Sequence, residues 1–479
     1  MQMRRRLVGV VTVLAIVTTA TACAVPATAR FPSGAGGVVS VAPPDMAGPL
    51  HLRGRQLVDA EGRVVLIHGI NSVNKAAPFI SPLGEGWLGP DELERLRAEG
   101  MNGVRLGVWA AGLLPEPGAI DHDYLDDVAE VVDALDDAGF WVLLDFHQDV
   151  FWGMPTWATT ATAAAASDEP SPLLSWIGWA AAYTTERSNR QWQDWWSDVE
   201  IVPGKGVQEL YADGVAAVAA RFADAPNVVG IDLLNEPYPG ADLFQCLQSC
   251  PGRYQQVASA FTGLTDAVRA VAPQMPVWWE PFTLGPPFPG VADPGEGIGL
   301  SFHTYCLHTD GGTPVAPSPA EQALCDGVYD AAFDGATAVS RRWDAPAMLT
   351  EFGASQSPLN ATGGAARADE QLISWFHWHG TDDYPEVVRT QLLRTYAQAT
   401  AGTPTRQHFE PATGAYELRY LPDHTVDAPT SIVVPGAHHP DGYEVTVTGG
   451  TVTSPPDAGR LTVVADPGSA EVVVRVRRA

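Results

Sequence analysis

A chain of 479 residues, 46% of them hydrophobic, can build one large buried core and a smaller second one, so disorder is not its default state. Asp and Glu outnumber Lys and Arg 56 to 28. The resulting net charge of −28 argues against nucleic acid and against electrostatic docking on anionic lipid, both of which need clustered cations.

The first 29 residues place three arginines (Arg4, Arg5, Arg6) before an apolar stretch and small residues after it. That is the pattern of a secretory signal peptide, cut after Ala29. Lipid attachment at Cys23 is the alternative, although Ala20 stands where a lipoprotein signal usually carries Leu or Val. No other segment is long and apolar enough to span a bilayer. The expected location is therefore secreted, free or tethered at Cys23.

From residue 64 onward, short apolar runs alternate with longer amphipathic segments. The candidate strands are "VVLIHGIN", "GVRLGVW", "WVLLDFH", "VVGIDLLNEP", "MPVWWEP", "IGLSFHTY", "AMLTEFG" and "ISWFHWH". Stretches such as "PDELERLRAEG" and "LDDVAEVVDALDDAG" carry apolar residues at helical three- and four-residue steps. Eight buried strands alternating with helices predict an α/β fold, a (β/α)8 TIM barrel over residues 30–404. Asn71, Arg105, His147, Asn235, Glu236, Glu280, Tyr305 and Glu351 fall at the C-terminal ends of these runs, the face on which such barrels carry their active sites.

The connection after the third run, roughly residues 150 to 205, holds seven of the chain's 15 tryptophans: Trp152, Trp157, Trp176, Trp179, Trp192, Trp195 and Trp196. Two readings stand side by side, a subsidiary core beneath the loop or an apolar wall for substrate. After the signal peptide four cysteines remain, Cys246, Cys250, Cys306 and Cys325, an even number that suggests two disulfides in an oxidising compartment. Four cysteines allow three pairings, of which the local one closes the shortest loops. A zinc site at Cys246 and Cys250 lacks further ligands at the right spacing. Residues 405–479 change character to β-branched alternating runs such as "YEVTVTGG" and "EVVVRVRR", which predicts a C-terminal β-sandwich with a packing or accessory role.

Two glutamates on different barrel strands suit glycoside hydrolysis, which needs an acid on the leaving oxygen and an anion at the anomeric carbon. "LLNEP" with Glu236 and "LTEFG" with Glu351 resemble the signature of retaining glycosidases that include glycoside hydrolase family 5. Within that family, "IHGINSVNK", "DFHQDVF", "WWEPFTLGPPF", "SFHTY" and "LLRTYAQATAGTP" resemble the endoglycoceramidases of the actinobacterial type, from about residue 50 to the C-terminus. Those enzymes release the whole glycan from glycosphingolipids at its bond to ceramide.

The resemblance implies that Glu236 is the acid/base and Glu351 the nucleophile. Glu236 must then be protonated when substrate binds, through burial or the nearby Glu351. Arg105 and Tyr305 would hold Glu351, and Asn235 the sugar's 2-hydroxyl. Lys75, His147 and Asp149 would surround the first sugar. Trp378 is the expected stacking platform, with Trp375 the other candidate. Glu280 and His303 are supporting pocket residues, and neither His147 nor His303 belongs to a recognised metal motif. The expected partners are a glycosphingolipid substrate and, in passing, a micelle or membrane surface. No cofactor and no metal is expected, and a monomer is the expected state. The tryptophan-rich excursion after the third run, Trp176 and Trp179 included, with the Pro and Phe of "LGPPFPG", would receive ceramide. A β-glucanase or β-mannanase of the same barrel class, or a non-catalytic carbohydrate-binding protein, are the alternatives.

Overall fold

The computed structural model describes residues 28–31, 39–84, 87–170, 181–247, 250–283, 285–306, 318–354, 358–379 and 386–479. Its centre is a closed barrel of eight parallel strands: β1 (His68–Ser72), β2 (Gly103–Val108), β3 (Trp141–Phe146), β4 (Val228–Asp232), β5 (Val277–Trp279), β6 (Ile298–Thr304), β7 (Ala347–Phe352) and β8 (Ser374–His377). Each strand pairs in parallel with the next, and β8 closes on β1 through Trp375–His68 and His377–Ile70. All six residues of β2 and all six of β3 are buried. Burial on both faces explains why these runs are continuously apolar rather than alternating.

The helices follow from local chemistry. Helix His122–Asp137 begins where the Asp121 side chain accepts from the Tyr124 amide, and it buries Leu125, Val128, Val132 and Leu135 at helical spacing against the barrel. Helix Pro319–Trp343 starts at a reciprocal cap between Ser318 and Glu321.

The second layer of the molecule is a sandwich of two mostly antiparallel sheets. One sheet takes Thr28–Phe31, Tyr443–Thr448, Val472–Arg478, Ala415–Pro422 and Gly402–Glu410 in that order. The other runs His51–Arg53, Gln56–Val58, Val64–Val65, Tyr396–Thr400, Thr430–Val433, Arg460–Ala465 and Gly450–Val452. Leu418, Tyr420, Val445 and Val474 of the first meet Ile432, Leu461 and Val463 of the second in one core. Four of these strands precede the barrel in the chain. The first predicted run is accordingly split: Val64–Val65 pairs with Tyr396–Thr400, and only His68 onward enters the barrel.

Sandwich and barrel are locked at the N-terminal end of the strands. The His68 ring stacks on Trp375 at 4.3 Å and on Tyr396 at 3.4 Å between centroids. Asp369 lies 3.2 Å from His68 Nε2 and accepts from Arg394, all three side chains being buried. Burial pushes the His68 imidazole down, which favours its neutral form, while the adjacent Asp369 works the other way.

Both disulfides take the local pairing, Cys246–Cys250 and Cys306–Cys325, with Cα separations of 4.6 and 5.3 Å. That consumes the thiols a zinc site at Cys246 and Cys250 would need. The second bridge ties the end of β6, one residue past Tyr305, to helix Pro319–Trp343.

Candidate active site

The site grows from one buried arginine. Arg105, expected at the C-terminal end of its run, sits instead mid-strand on β2, fully enclosed, and its long fork reaches up to the ends of neighbouring strands and turns. Nη1 donates to Asn71 Oδ1 at 3.1 Å and to Glu351 Oε1 at 2.7 Å. Nη2 donates to Asp145 Oδ1 at 2.9 Å, Asp232 Oδ2 at 3.0 Å and Asn235 Oδ1 at 2.8 Å. Burial opposes its charge, but Asp145, Asp232 and Glu351 outweigh that and hold the guanidinium protonated. Tyr305 OH donates to the other oxygen of Glu351 at 2.7 Å, so both carboxylate oxygens are fixed.

Glu236 follows β4 on a turn of special geometry. Its φ is +43°, in the left-handed region that costs a non-glycine residue free energy and persists only when its surroundings enforce it. Gln148 supplies that enforcement: its Nε2 donates to the carbonyls of Asn235 and Glu236, while Asn235 Nδ2 returns a bond to the Gln148 carbonyl at 2.9 Å. The Glu236 carboxyl receives Tyr183 OH at 3.1 Å on Oε2 and faces His303 Nδ1 at 3.0 Å on Oε1. Burial raises its proton affinity first, and the negative Asp149 adds to it. The expected direction holds, with Asp149 in the place given to Glu351.

One oxygen each of Glu236 and Glu351 and a ring nitrogen of His303 lie within 4.8 Å of one another. Burial drives the His303 imidazole down to about 4, so it is neutral at ordinary pH. The trio has the spacing of a metal-ligand set. However, Arg105 and two tyrosine hydroxyls already occupy its carboxylate oxygens, and a guanidinium 2.7 Å from Glu351 disfavours a second cation there.

Glu280, 2% exposed at the end of β5, points its Oε1 to within 3.4 Å of His303 Nδ1 and its Oε2 to within 3.9 Å of Arg105. Burial and the neighbouring Asp232 push its carboxyl well above the ordinary range, which makes it a neutral group behind His303.

A third cluster forms one wall. Lys75 donates to Asp149 Oδ2 at 2.7 Å, and His147 bridges Asp145 (Nδ1 to Oδ2, 2.6 Å) toward Asp149 (Nε2 to Oδ2, 3.5 Å). Although burial works against it, the two aspartates hold His147 up at about 9, hence charged. Trp378 stacks on the His147 ring at 5.4 Å and 13°, with Lys75 Nζ 4.7 Å from its own ring centre. Trp378 is half-buried here, whereas Trp375 is fully buried against His68 and Phe352. The structure thus brings Glu236, Glu351, Lys75, His147, Asp149, Asn235, Tyr305, Trp378, Arg105, Glu280 and His303 to one end of the barrel.

The tryptophan-rich excursion is largely core. Trp192, Trp195 and Trp196 share a face of helix Glu186–Trp196 and are buried, and Trp157 donates to the Leu114 carbonyl. Trp152 alone of the five described tryptophans is substantially exposed, at 49%. Trp176 and Trp179 lie outside the described residues. The phenylalanine of "LGPPFPG" is corrected outright: Phe288 is fully buried against Trp279 and Trp343 and offers no surface to a lipid. Sequence reasoning did not single out Gln148, Tyr183, Asp145 or Asp232. Gln148 and Asp145 lie inside or beside the motif "DFHQDVF", where a signal existed.

The family model for cellulase (glycosyl hydrolase family 5) matches residues 58–383, and that of the glycoside hydrolase family 5 C-terminal domain matches residues 394–477. The chain is 37% identical over 451 residues to endoglycoceramidase I of Rhodococcus hoagii, covering 90% of this chain and 88% of that one. Among solved structures, endo-glycoceramidase II from Rhodococcus sp. in its ganglioside GM3 complex aligns with a TM-score of 0.73 at 26% identity, over 89% of this chain and 100% of the other. The lactosyl-enzyme intermediate of the same enzyme gives 0.72 at 26%, with the same coverage. The chain belongs to glycoside hydrolase family 5, in the group formed by the endoglycoceramidases.

Proposed function

We propose that the chain is a retaining endo-β-glycosidase that cleaves the bond between the oligosaccharide and the ceramide of glycosphingolipids. The observation that carries the reading is the pair of buried glutamates, closest oxygens within 4.8 Å, at the ends of β4 and β7 in a chain whose relatives are endoglycoceramidases. That spacing suits a retaining pair, about 5–5.5 Å apart, and leaves no room for the water of an inverting one, at about 6.5–9.5 Å.

In the first half-reaction Glu236 gives its proton to the glycosidic oxygen as the carbon–oxygen bond breaks, and ceramide leaves as an alcohol. A Glu351 oxygen forms the new bond to the anomeric carbon. In the second, the Glu236 carboxylate takes a proton from water, the water oxygen attacks the same carbon, and the bond to Glu351 breaks. Burial and Asp149 keep Glu236 protonated at the start, while Arg105 and Tyr305 orient Glu351. Lys75, His147 and Asp149 offer charged donors and acceptors for sugar hydroxyls, and Trp378 an aromatic face.

Transient contact with a lipid surface belongs to the same reading. Trp152 after β3, Phe244 and Leu247 after β4, and Leu324 near the start of the helix after β6 are 49, 68, 43 and 53% exposed on connections that flank the active face. No helix among the described residues is long and apolar enough to cross a membrane. Secretion, or tethering at Cys23, is proposed from the sequence alone, as residues 1–27 lie outside the described ones; a cut after Ala29 would divide the strand Thr28–Phe31, so the structure favours a cut ahead of Thr28.

The test is incubation of purified protein with glucosyl- and galactosyl-linked glycosphingolipids, with products read by mass spectrometry. Intact oligosaccharide plus ceramide is expected. Depolymerisation of β-glucan or β-mannan without lipid cleavage would replace the reading with a polysaccharide hydrolase. Binding without any turnover would replace it with a carbohydrate-binding protein.

A further inference from the structure

Tyr183 is an outlier among the groups that touch the glutamate pair: Arg105 and His303 sit on β2 and β6 and Tyr305 directly follows β6, whereas Tyr183 lies far along a connection. It belongs to the excursion after β3, just ahead of helix Glu186–Trp196, and its hydroxyl reaches Glu236 Oε2 at 3.1 Å. Its mount is rigid. Thr184 Oγ1 donates to the Ala181 carbonyl, and Thr185 caps the helix by accepting from the Ser188 amide. Ser188 Oγ in turn donates to the Val150 carbonyl, tying the helix back to the end of β3. The helix is pinned by Trp192, Trp195 and Trp196, and the Tyr183 ring lies 4.8 Å from that of Tyr238, which follows "NEP". The tryptophan core therefore has a product: it delivers one hydroxyl to one carboxyl.

We propose that Tyr183 is a positioning residue for Glu236, which holds the carboxyl for proton donation and stabilises the carboxylate that must deprotonate water in the second half-reaction. The inference rests on the acid/base reading of Glu236 above. A donor to a carboxylate favours its charged form, opposing burial and Asp149, which favour the neutral one. Burial keeps the phenol itself protonated far above neutrality, so it remains a donor throughout the cycle. Glu236 has to act on both sides of its own titration, as acid and then as base, and burial alone would serve only the first task.

Tyr183→Phe keeps the ring and removes the donor. The alkaline limb of kcat/KM on a glycosphingolipid should move up by about one pH unit, the size expected for loss of one hydrogen bond to a charged group. With an activated aryl glycoside, whose release needs no acid, kcat should fall about tenfold because deglycosylation becomes slower. Azide, a nucleophile that needs no base, should restore it and appear as glycosyl azide. An unmoved alkaline limb, or a loss that azide does not repair, overturns the proposal. Tyr238→Phe is the control for ring packing, and an equal shift there would also overturn it. Glu236→Gln separates the two levels. If that variant keeps lipid turnover, the acid/base reading itself fails. If it is inactive on lipid yet azide-rescued while Tyr183→Phe behaves as the parent, only the role of Tyr183 fails.

Discussion

Arg105→Lys keeps the positive charge in the barrel and removes the fork. Arg105 serves five acceptors, Asn71, Glu351, Asp145, Asp232 and Asn235, all within 3.1 Å. An ammonium has three donors, so at least two buried acceptors lose their partner. Each lost bond involving a charged group costs about 1.5–3 kcal/mol, so the variant should lose about 3–6 kcal/mol of barrel stability. That is a large share of the roughly 5–15 kcal/mol by which domains are stable. Because sandwich and barrel need not unfold together, the transition must be followed by a barrel signal, such as the fluorescence of its buried tryptophans, across a urea titration. Activity on an aryl glycoside should fall at least about 100-fold, since one oxygen of Glu351 loses its anchor at the moment the new bond must form. A urea midpoint close to the parent's with kcat/KM within twofold would show that Arg105 neither supports the barrel nor holds the nucleophile.

Glu280→Gln should retain kcat/KM to within about tenfold and lose less than about 1 kcal/mol of stability, because an amide replaces a carboxyl already kept neutral by burial and Asp232; a loss equal to that of Glu351→Gln would refute this. His147, held at about 9 against 6.5 when free, contributes stability that is complete below about pH 6.5 and is lost as pH rises through about 9. The contribution is about 3 kcal/mol, counted once for the His147–Asp149 pair, and urea midpoints from pH 6 to 10 should fall accordingly. In His147→Gln that decline should flatten, and an unchanged slope would contradict the assignment. Trp378→Ala should raise KM about tenfold with little change in stability. Trp375→Ala should instead destabilise the protein by about 3–5 kcal/mol by leaving a cavity. The opposite pattern would exchange their roles.

The barrel was legible because its strands are buried on both faces, which leaves continuous apolar runs such as "WVLLDF" that few other contexts produce. The sandwich was legible only in part. Its strands from residues 51 to 65 pair locally with one another, and only Val64–Val65 joins them to Ala399 and Thr400 across more than 300 residues, a register that nothing local announces. Trp192, Trp195 and Trp196 stand at helical i, i+3, i+4 positions, a core signature that their position on the active face obscured. In the site, Glu236, Glu351 and Tyr305 came from motifs and strand ends, and Arg105 from an unexpected charge inside an apolar run. Tyr183 did not, because its hydroxyl reaches Glu236 only through the docking of a whole helix. Asp149 likewise acts on Glu236 through space, an effect that no spacing in the sequence encodes.

The arrangement of Glu351 under Arg105 and Tyr305, facing Glu236, is tested most directly by trapping the glycosyl-enzyme. Incubation with a 2-deoxy-2-fluoro glycosyl fluoride, followed by peptide mapping in the mass spectrometer, should place a single sugar adduct on the peptide that contains Glu351. An adduct on Glu236 or Glu280, or no adduct together with a product of inverted configuration, would contradict the account.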